Sequence, residues 1–189
     1  MNLKDKVVLV TGSGSGIGRK TSLVCAEYGA TVIALDINEE AAKLTEKMII
    51  DADGTAMAAK ADITDRVQVH TVIEDVIARF KKIDVLVNNA GSTRLGTMVD
   101  LEDSTYDFII NLNMKGPFIM STEVAKVMIP RRSGRIINIT SYCAVRGEFA
   151  NAPYCMAKAG IKMMTQVQAL ELGQYGISAV AIAPGDRRP

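Results

Sequence analysis

Short runs of Val, Ile, Leu and Ala alternate with segments of helical spacing along nearly all of this 189-residue chain. This alternation limits the fold more than any other feature. The apolar runs are Lys6 to Val10, Thr31 to Leu35, Thr55 to Lys60, Val85 to Val87, Arg135 to Ile139 and Ser178 to Ala183. The third is poor in β-branched residues and is the weakest strand. Helical spacing is predicted from the glycine-rich turn after the first run to Tyr28. It recurs over Glu39 to Ile50, Thr64 to Phe80, Leu101 to Asn113, Phe118 to Ile129 and Tyr154 to Tyr175, with a break expected at Lys115-Gly116-Pro117. Strands that are apolar throughout, rather than at alternate positions, are buried on both faces, and strands separated by helices pair in parallel. The expected class is therefore α/β, a parallel sheet covered by helices on both sides. No linker, charge block or internal repeat interrupts the pattern, so residues 1–189 are expected to form a single domain.

Composition narrows the function. Hydrophobic residues are 48% and charged residues 23% of the chain, an ordinary globular balance. A net charge of +1 gives no reason to expect nucleic acid or an anionic membrane surface as a partner. No apolar run approaches the ~20 residues of a membrane span. No signal-peptide core precedes the first strand, and a cytoplasmic location is expected. Cys25, Cys143 and Cys155 lack metal-ligand spacing and are read as reduced thiols. The single histidine, His70, falls in a helical pattern with Asp75 and Arg79 and is read as a surface residue. No metal site is expected.

Five places carry chemistry. The loop Thr11-Gly12-Ser13-Gly14-Ser15-Gly16-Ile17-Gly18 stands between a strand and a helix. There glycines admit a pyrophosphate close to the backbone and the helix N-terminus offers free N–H groups. Asp36 closes the second strand, eighteen residues after Gly18. A carboxylate at that point accepts hydrogen bonds from a ribose and repels a phosphate on it. Because Ile37 and not a basic residue follows, NAD is expected over NADP, although Arg19 near the loop is a cation that would tolerate the extra phosphate. Asn88-Asn89-Ala90-Gly91 follows the fourth strand, at the edge where open α/β sheets bind ligands. Asn113 lies where one helical pattern gives way. Finally Tyr154 and Lys158, four residues apart, share one helix face, and Ser141 lies thirteen residues before the tyrosine. A phenol ordinarily titrates near pH 10, and a neighbouring ammonium is expected to pull it down until it can exchange a proton with an alcohol or carbonyl oxygen.

Taken together these residues resemble the short-chain dehydrogenase/reductase family. The resemblance runs from Lys6 to Gly185 and rests on T-G-x-x-x-G-I-G at Thr11 to Gly18, Asp62, N-N-A-G at Asn88 to Gly91, Asn113, Ser141, Tyr154 with Lys158, and Pro184-Gly185. It implies a doubly wound sheet of order 3-2-1-4-5-6 and hydride transfer between NAD(H) and a secondary alcohol or ketone. It makes Tyr154 the general acid/base, with Lys158 tuning it and holding the nicotinamide ribose. Ser141 positions the substrate oxygen, and Asn113 supports a water-linked relay to Lys158. The implied cofactor contacts are Gly12, Ser15, Gly16, Ile17, Gly18, Asp36, Ile37, Asp62, Ile63, Asn89, Ala90, Gly91, Pro184 and Gly185, with the last two following the sixth strand. Asp62 and Ile63 would meet adenine. The loops at Ser92-Thr93-Arg94 and at Val145, Arg146, Glu148 and Phe149 would border the substrate, where Arg94 or Arg146 would recognise an anionic group if not simply solvated.

The fold also serves 3-oxoacyl-thioester reductases, usually with NADP, and idle dinucleotide-binding proteins. Asp36 argues against the first and the intact tetrad against the second. Family members commonly pair as dimers or tetramers through the helices equivalent to Phe118–Ile129 and Tyr154–Tyr175. Both are rich in apolar residues here: Met120, Val124, Met128, Met163, Met164, Val167 and Leu170. Relatives continue past the Pro-Gly with a covering segment and a seventh strand. Here only Asp186-Arg187-Arg188-Pro189 follows, read as a solvated tail of a shortened or fragmentary chain that would keep some NAD binding with weak turnover.

Overall fold

Every apolar run becomes a strand because each can be buried only by pairing on both sides and accepting a helix on a face. The computed structural model of the protein describes residues 2–185. Its strands are β1 (Val7–Thr11), β2 (Thr31–Asp36), β3 (Thr55–Lys60), β4 (Val85–Asn88), β5 (Gly134–Ile139) and β6 (Ile177–Ile182). They form one sheet in the order β3-β2-β1-β4-β5-β6, with every pair parallel. The helices are α1 (Gly16–Glu27), α2 (Glu39–Ile50), α3 (Arg66–Phe80), α4 (Asp103–Ile110), α5 (Gly116–Met128) and α6 (Ala152–Gly173). The architecture is Rossmann-like and doubly wound. The tail at Asp186 to Pro189 lies outside the described residues.

Alternate strand residues face opposite layers. Leu9, Ile33, Leu86 and Ile136 pack with Val69, Ile73 and Val76 of α3 and with Met120, Val124 and Met128 of α5. On the other face Val8, Val10, Val32 and Val87 meet Ile49 of α2 and Leu23 and Cys25 of α1. The expected cover on both faces is incomplete at one end. Val180 and Ile182 of β6 are 43% and 49% exposed, because α1 and α2 lie over the β1–β2–β3 half. Three residues expected at an oligomer contact, Met120, Val124 and Met128, are instead wholly buried in the core, where unbranched methionine fills irregular gaps.

Helix ends follow local chemistry. Asp65 starts α3 by accepting from the Val67 and Gln68 amides, two residues later than spacing alone suggested. Pro153 in the first turn starts α6 at Ala152, two residues before Tyr154. The expected break at Lys115-Gly116-Pro117 does not occur. The chain stays helical from Asp103 to Met128 through a widened π turn, Asn111–Lys115. That placement puts Pro117 in the first turn of α5, directly after the π turn by which the helix passes the proline. Gly116 is required by packing: a Cβ there would stand 2.5 Å from Ile63 Cδ1. Among the described residues no helix is long and apolar enough to cross a membrane. His70 is exposed and bridges Glu74 at 3.3 Å and the buried Glu123 at 3.4 Å.

Two of the buried polar clusters tie the sheet to its helices and to its own edge. Asp84 accepts the Val7 amide at 2.9 Å, Arg131 at 3.0 Å and Lys82 at 3.2 Å. Burial pushes this carboxyl up, but the Val7 amide, Arg131 and Lys82 outweigh it and hold it below the usual range. Near the other end of the strands, Asn88 donates to Ser121 (2.9 Å) and to Asn138 (2.8 Å), and Asn138 donates to Thr165 (2.9 Å) and Gln168 (2.8 Å). This network puts α5 and α6 on the same face and fixes them to β4 and β5. Asn138→Ala would strand the Gln168 carbonyl oxygen in the interior. Urea unfolding is expected to show a loss of roughly 2 kcal/mol, the cost of an unpaired buried polar group.

Candidate active site

The strand order reverses between β1 and β4, so the loops leaving these strands diverge and open a crevice at their C-terminal ends. The cavity there measures about 880 Å³. Of the residues singled out from the sequence, Gly12, Ser15, Gly16, Ile17, Asp36, Ile37, Asp62, Ile63, Asn89, Ala90, Gly91, Ser141, Tyr154, Lys158, Pro184 and Gly185 line it. Gly18 and Asn113 do not; both stand directly behind the lining. A side chain on Gly18 would collide with the Gly12 carbonyl, so this glycine permits the tight first turn rather than a ligand contact.

The β1 and β4 loops are locked together. Thr11 Oγ1 accepts the Asn89 and Ala90 amides at 3.0 Å each, and Asn89 Nδ2 donates to the Thr11 carbonyl at 2.9 Å and to that of Gly12 at 3.3 Å. Asn89 thus lines the cavity while its amide group holds the glycine loop. At the start of α1, the N-cap Ser15 makes no side-chain bond to the first-turn N–H groups and no acidic residue occupies that turn. These amides are left for an anion. Asp36 closes over the loop, its Oδ2 accepting the Gly14 amide at 2.8 Å and its Oδ1 that of Asn38 at 2.9 Å. Arg19 is held on the same loop, with Nε on Thr45 Oγ1 at 3.0 Å and its guanidinium on the Gly14 carbonyl. Asp62 Oδ1 accepts both the amide and the hydroxyl of Thr64 at 2.8 Å.

At the other end of the crevice stand Ser141, which leads into a 3-10 turn (Tyr142–Ala144), and Tyr154 with Lys158 on α6. Lys158 is buried, and Nζ donates to the Ile139 carbonyl at 3.0 Å. Its Nζ is 5.4 Å from the centre of the Tyr154 ring. Burial pushes the Lys158 ammonium down to about 8. The Tyr154 phenol lies above its ordinary value, not below it as expected. Burial raises Tyr154; the Ser141 hydroxyl pulls the other way, and Cys143, Glu148 and Cys155 add to the rise. Asn113 is fully buried in the π turn and donates to the carbonyls of Ser92 (2.7 Å) and Ile109 (2.9 Å). Its Oδ1 has no partner among the described residues. A Cβ on Gly91 would sit 2.6 Å from that oxygen and 3.4 Å from Lys158 Nζ, so both atoms converge on one small space.

Tyr142 and Asn151 are among the lining residues that escaped the sequence reading. Tyr142 follows Ser141 directly, and Asn151 precedes α6 where an Asn reads as a helix cap. Asn151 makes no cap bond; its side chain instead joins Glu148 and Thr93. Arg94 stacks its guanidinium 4.1 Å from the centre of the Phe108 ring at the same mouth.

Comparison with known proteins agrees with this geometry. The short chain dehydrogenase family model matches residues 6–188. The chain belongs to the short-chain dehydrogenase/reductase family. Within it, the chain is 40% identical to a 3-oxoacyl-acyl-carrier-protein reductase of Thermotoga maritima, over 98% of this chain and 75% of that protein. It is also 40% identical to galactitol 2-dehydrogenase of Agrobacterium fabrum, over 98% of this chain and 72% of that one. The structure of NAD+-bound xylitol dehydrogenase superposes with a TM-score of 0.97 at 33% identity, covering 100% of this chain and 73% of that chain. As a short-chain dehydrogenase/reductase the protein is an oxidoreductase acting on alcohol or ketone groups with a nicotinamide dinucleotide.

The buried ammonium carries a testable consequence. Because the Lys158 pKa falls on folding, the unfolded chain binds more protons between about pH 8 and the ordinary lysine value of 10.5, and stability rises with pH across that window. Lys158→Met removes the buried charge and is expected to stabilise the protein by roughly 1–3 kcal/mol at pH 7. That gain should disappear above pH 10.5. Urea unfolding of both proteins across this range measures it. A Lys158→Met protein less stable than the parent at pH 7 would refute the burial argument.

Proposed function

We propose that the protein interconverts a secondary alcohol and its ketone with NAD(H) in preference to NADP(H), and that Tyr154 carries the proton. Asp36 is the observation that carries the cofactor preference. Its carboxylate lines the cavity at the end of β2 and is fixed by two backbone amides. It offers an acceptor to ribose hydroxyls and opposes a phosphate at the same place. Arg19, the cation that would relieve such opposition, is bonded to Gly14 and Thr45. The free amides of the first α1 turn suit the pyrophosphate, exposed Ile17 and Ile37 offer apolar surface, and Asp62 and Ile63 lie where adenine would end.

When bound, the nicotinamide supplies or takes the hydride. In ketone reduction Tyr154 gives its proton to the carbonyl oxygen while Ser141 holds that oxygen by a hydrogen bond. Lys158, beneath the phenol, holds ribose hydroxyls. Asn113 Oδ1 accepts from a water that replenishes the proton through Lys158. A raised phenol pKa suits Tyr154 as the acid, so ketone reduction should be favoured toward low pH and alcohol oxidation toward high pH.

A second reading, 3-oxoacyl-thioester reduction, is favoured by the relative of that name. The two separate on cofactor and substrate. We further propose a homodimer or homotetramer, with Met163, Val167 and Leu170 of α6 and Phe118 of α5 as the exposed apolar contact. Light scattering at micromolar concentration would show a multiple of the monomer mass.

Tyr154→Phe should lower kcat by ~10²–10⁴-fold, the range for losing a general acid/base, with little change in NADH affinity. Asp36→Ala should narrow the preference for NADH over NADPH in a fluorescence titration. Tighter NADPH binding by the parent protein would overturn the cofactor assignment.

A further inference from the structure

One acidic side chain stands at the reacting end of the cavity with no part in the chemistry above. Glu148 lies in the loop between the 3-10 turn and α6 and lines the cavity beside Ser141 and Tyr154. It is exposed, and its charge is among those that act on the Tyr154 hydroxyl. The carboxylate is held from three sides. Oε1 accepts the Tyr142 hydroxyl at 2.8 Å, while Oε2 accepts Asn151 Nδ2 at 2.6 Å and the Cys143 thiol at 3.4 Å. Asn151 is buried and accepts the Thr93 hydroxyl at 2.5 Å, which ties the loop after β4 to the loop before α6 across the mouth of the cavity. Asn151, Tyr142 and Cys143, in that order, hold the Glu148 carboxyl below its usual range, so it is an anion near neutrality. Among the described residues no Lys, Arg or His forms a salt bridge with it.

An ionised carboxylate accepts at about four lone-pair positions and donates at none. Three donors, one of them a weak thiol, leave acceptor capacity on the exposed side. A group placed there gains if it is a hydrogen-bond donor and loses if it is an anion or a bare hydrocarbon. We propose that Glu148 is the specificity-determining residue of this site and selects a substrate bearing a hydroxyl on the carbon next to the reacting one. The substrates are then neutral vicinal polyols and the corresponding α-hydroxyketones. Tyr142 and Asn151 are positioning residues that keep the carboxylate turned inward. The inference rests on the alcohol-dehydrogenase reading above. In the reducing direction, hydride from NADH forms the new C–H bond, the Tyr154 proton completes the hydroxyl, and NAD+ is released. Glu148 exchanges no proton; it accepts a hydrogen bond from the neighbouring hydroxyl.

The test compares dihydroxyacetone with acetone, two ketones with the same three-carbon skeleton, by following NADH consumption. The parent protein should show a kcat/KM at least about ten-fold higher for dihydroxyacetone, as a hydrogen bond to a charged group gives. Glu148→Ala should cut that ratio by roughly ten- to hundred-fold, and Glu148→Gln, which keeps an acceptor oxygen but not the charge, should fall between. A merely structural role for Glu148 would lower both activities together and leave the ratio where it was. NADH binding by fluorescence checks that each variant is folded, and if Glu148→Ala is not, the ratio in Glu148→Gln decides the matter. Equal kcat/KM for the two ketones in the parent, or an unchanged ratio in folded Glu148→Ala, overturns the proposal and leaves the alcohol-dehydrogenase reading standing. No NADH consumption with any ketone overturns both.

Discussion

The hydrogen bonds between Thr11 and the Asn89-Ala90 turn are the interaction on which the site depends. A parallel sheet places the C-terminal ends of all its strands on one edge, but an edge alone has no crevice. The crevice exists because β1 and β4 are neighbours while the helices that follow them lie on opposite faces. At that divergence the backbone would otherwise be loosely held. Across it the Asn89 and Ala90 amides donate to the Thr11 hydroxyl, and the Asn89 side chain donates to the Thr11 carbonyl. The glycine loop is therefore tied to the β4 turn by bonds of the fold itself, which lessens what binding has to order.

Rigidity at one end of the crevice is matched by tension at the other. Lys158 carries a charge into a buried place where burial opposes it, and Asn113 keeps an oxygen unpaired inside a π turn. Each raises the free energy of the fold, and each points at the same small space beside Gly91. Such groups persist where function needs them, and a substitution that relieves them gains stability while losing activity.

Much of this was legible in the sequence. Strand existence and order followed from apolar runs that could be satisfied only by burial on two faces, and Asp36 was placed at the cavity by its position after Leu35. What could not be read has physical reasons. The π turn was hidden because Gly-Pro signals a break by local propensity, whereas packing against Ile63 and a proline in the first turn of α5 keep the chain helical. The Tyr154–Lys158 pair was placed by spacing, but the direction of the ammonium depends on the Ile139 carbonyl from another element. Met120, Val124 and Met128 looked like surplus apolar surface because periodicity shows that a face is apolar without showing what covers it. The link from Thr93 through Asn151 to Glu148 joins residues up to 58 positions apart and has no sequence signature.

The bond from the Val7 amide to the Asp84 carboxylate spans 77 positions of chain. Of the six strands β1 is synthesised first, yet its second neighbour, β4, emerges only after three helices and two further strands. Until then one edge of β1 has no partner, and closing so long a loop costs chain entropy before any contact rewards it. The glycine loop and Asp36 are therefore synthesised before Ser141, Tyr154 and Lys158. A lesion in β1 or at Asp84 then acts on the yield of folded protein, whereas a lesion at Tyr154, in the role proposed for it, acts on the turnover of molecules that have already folded.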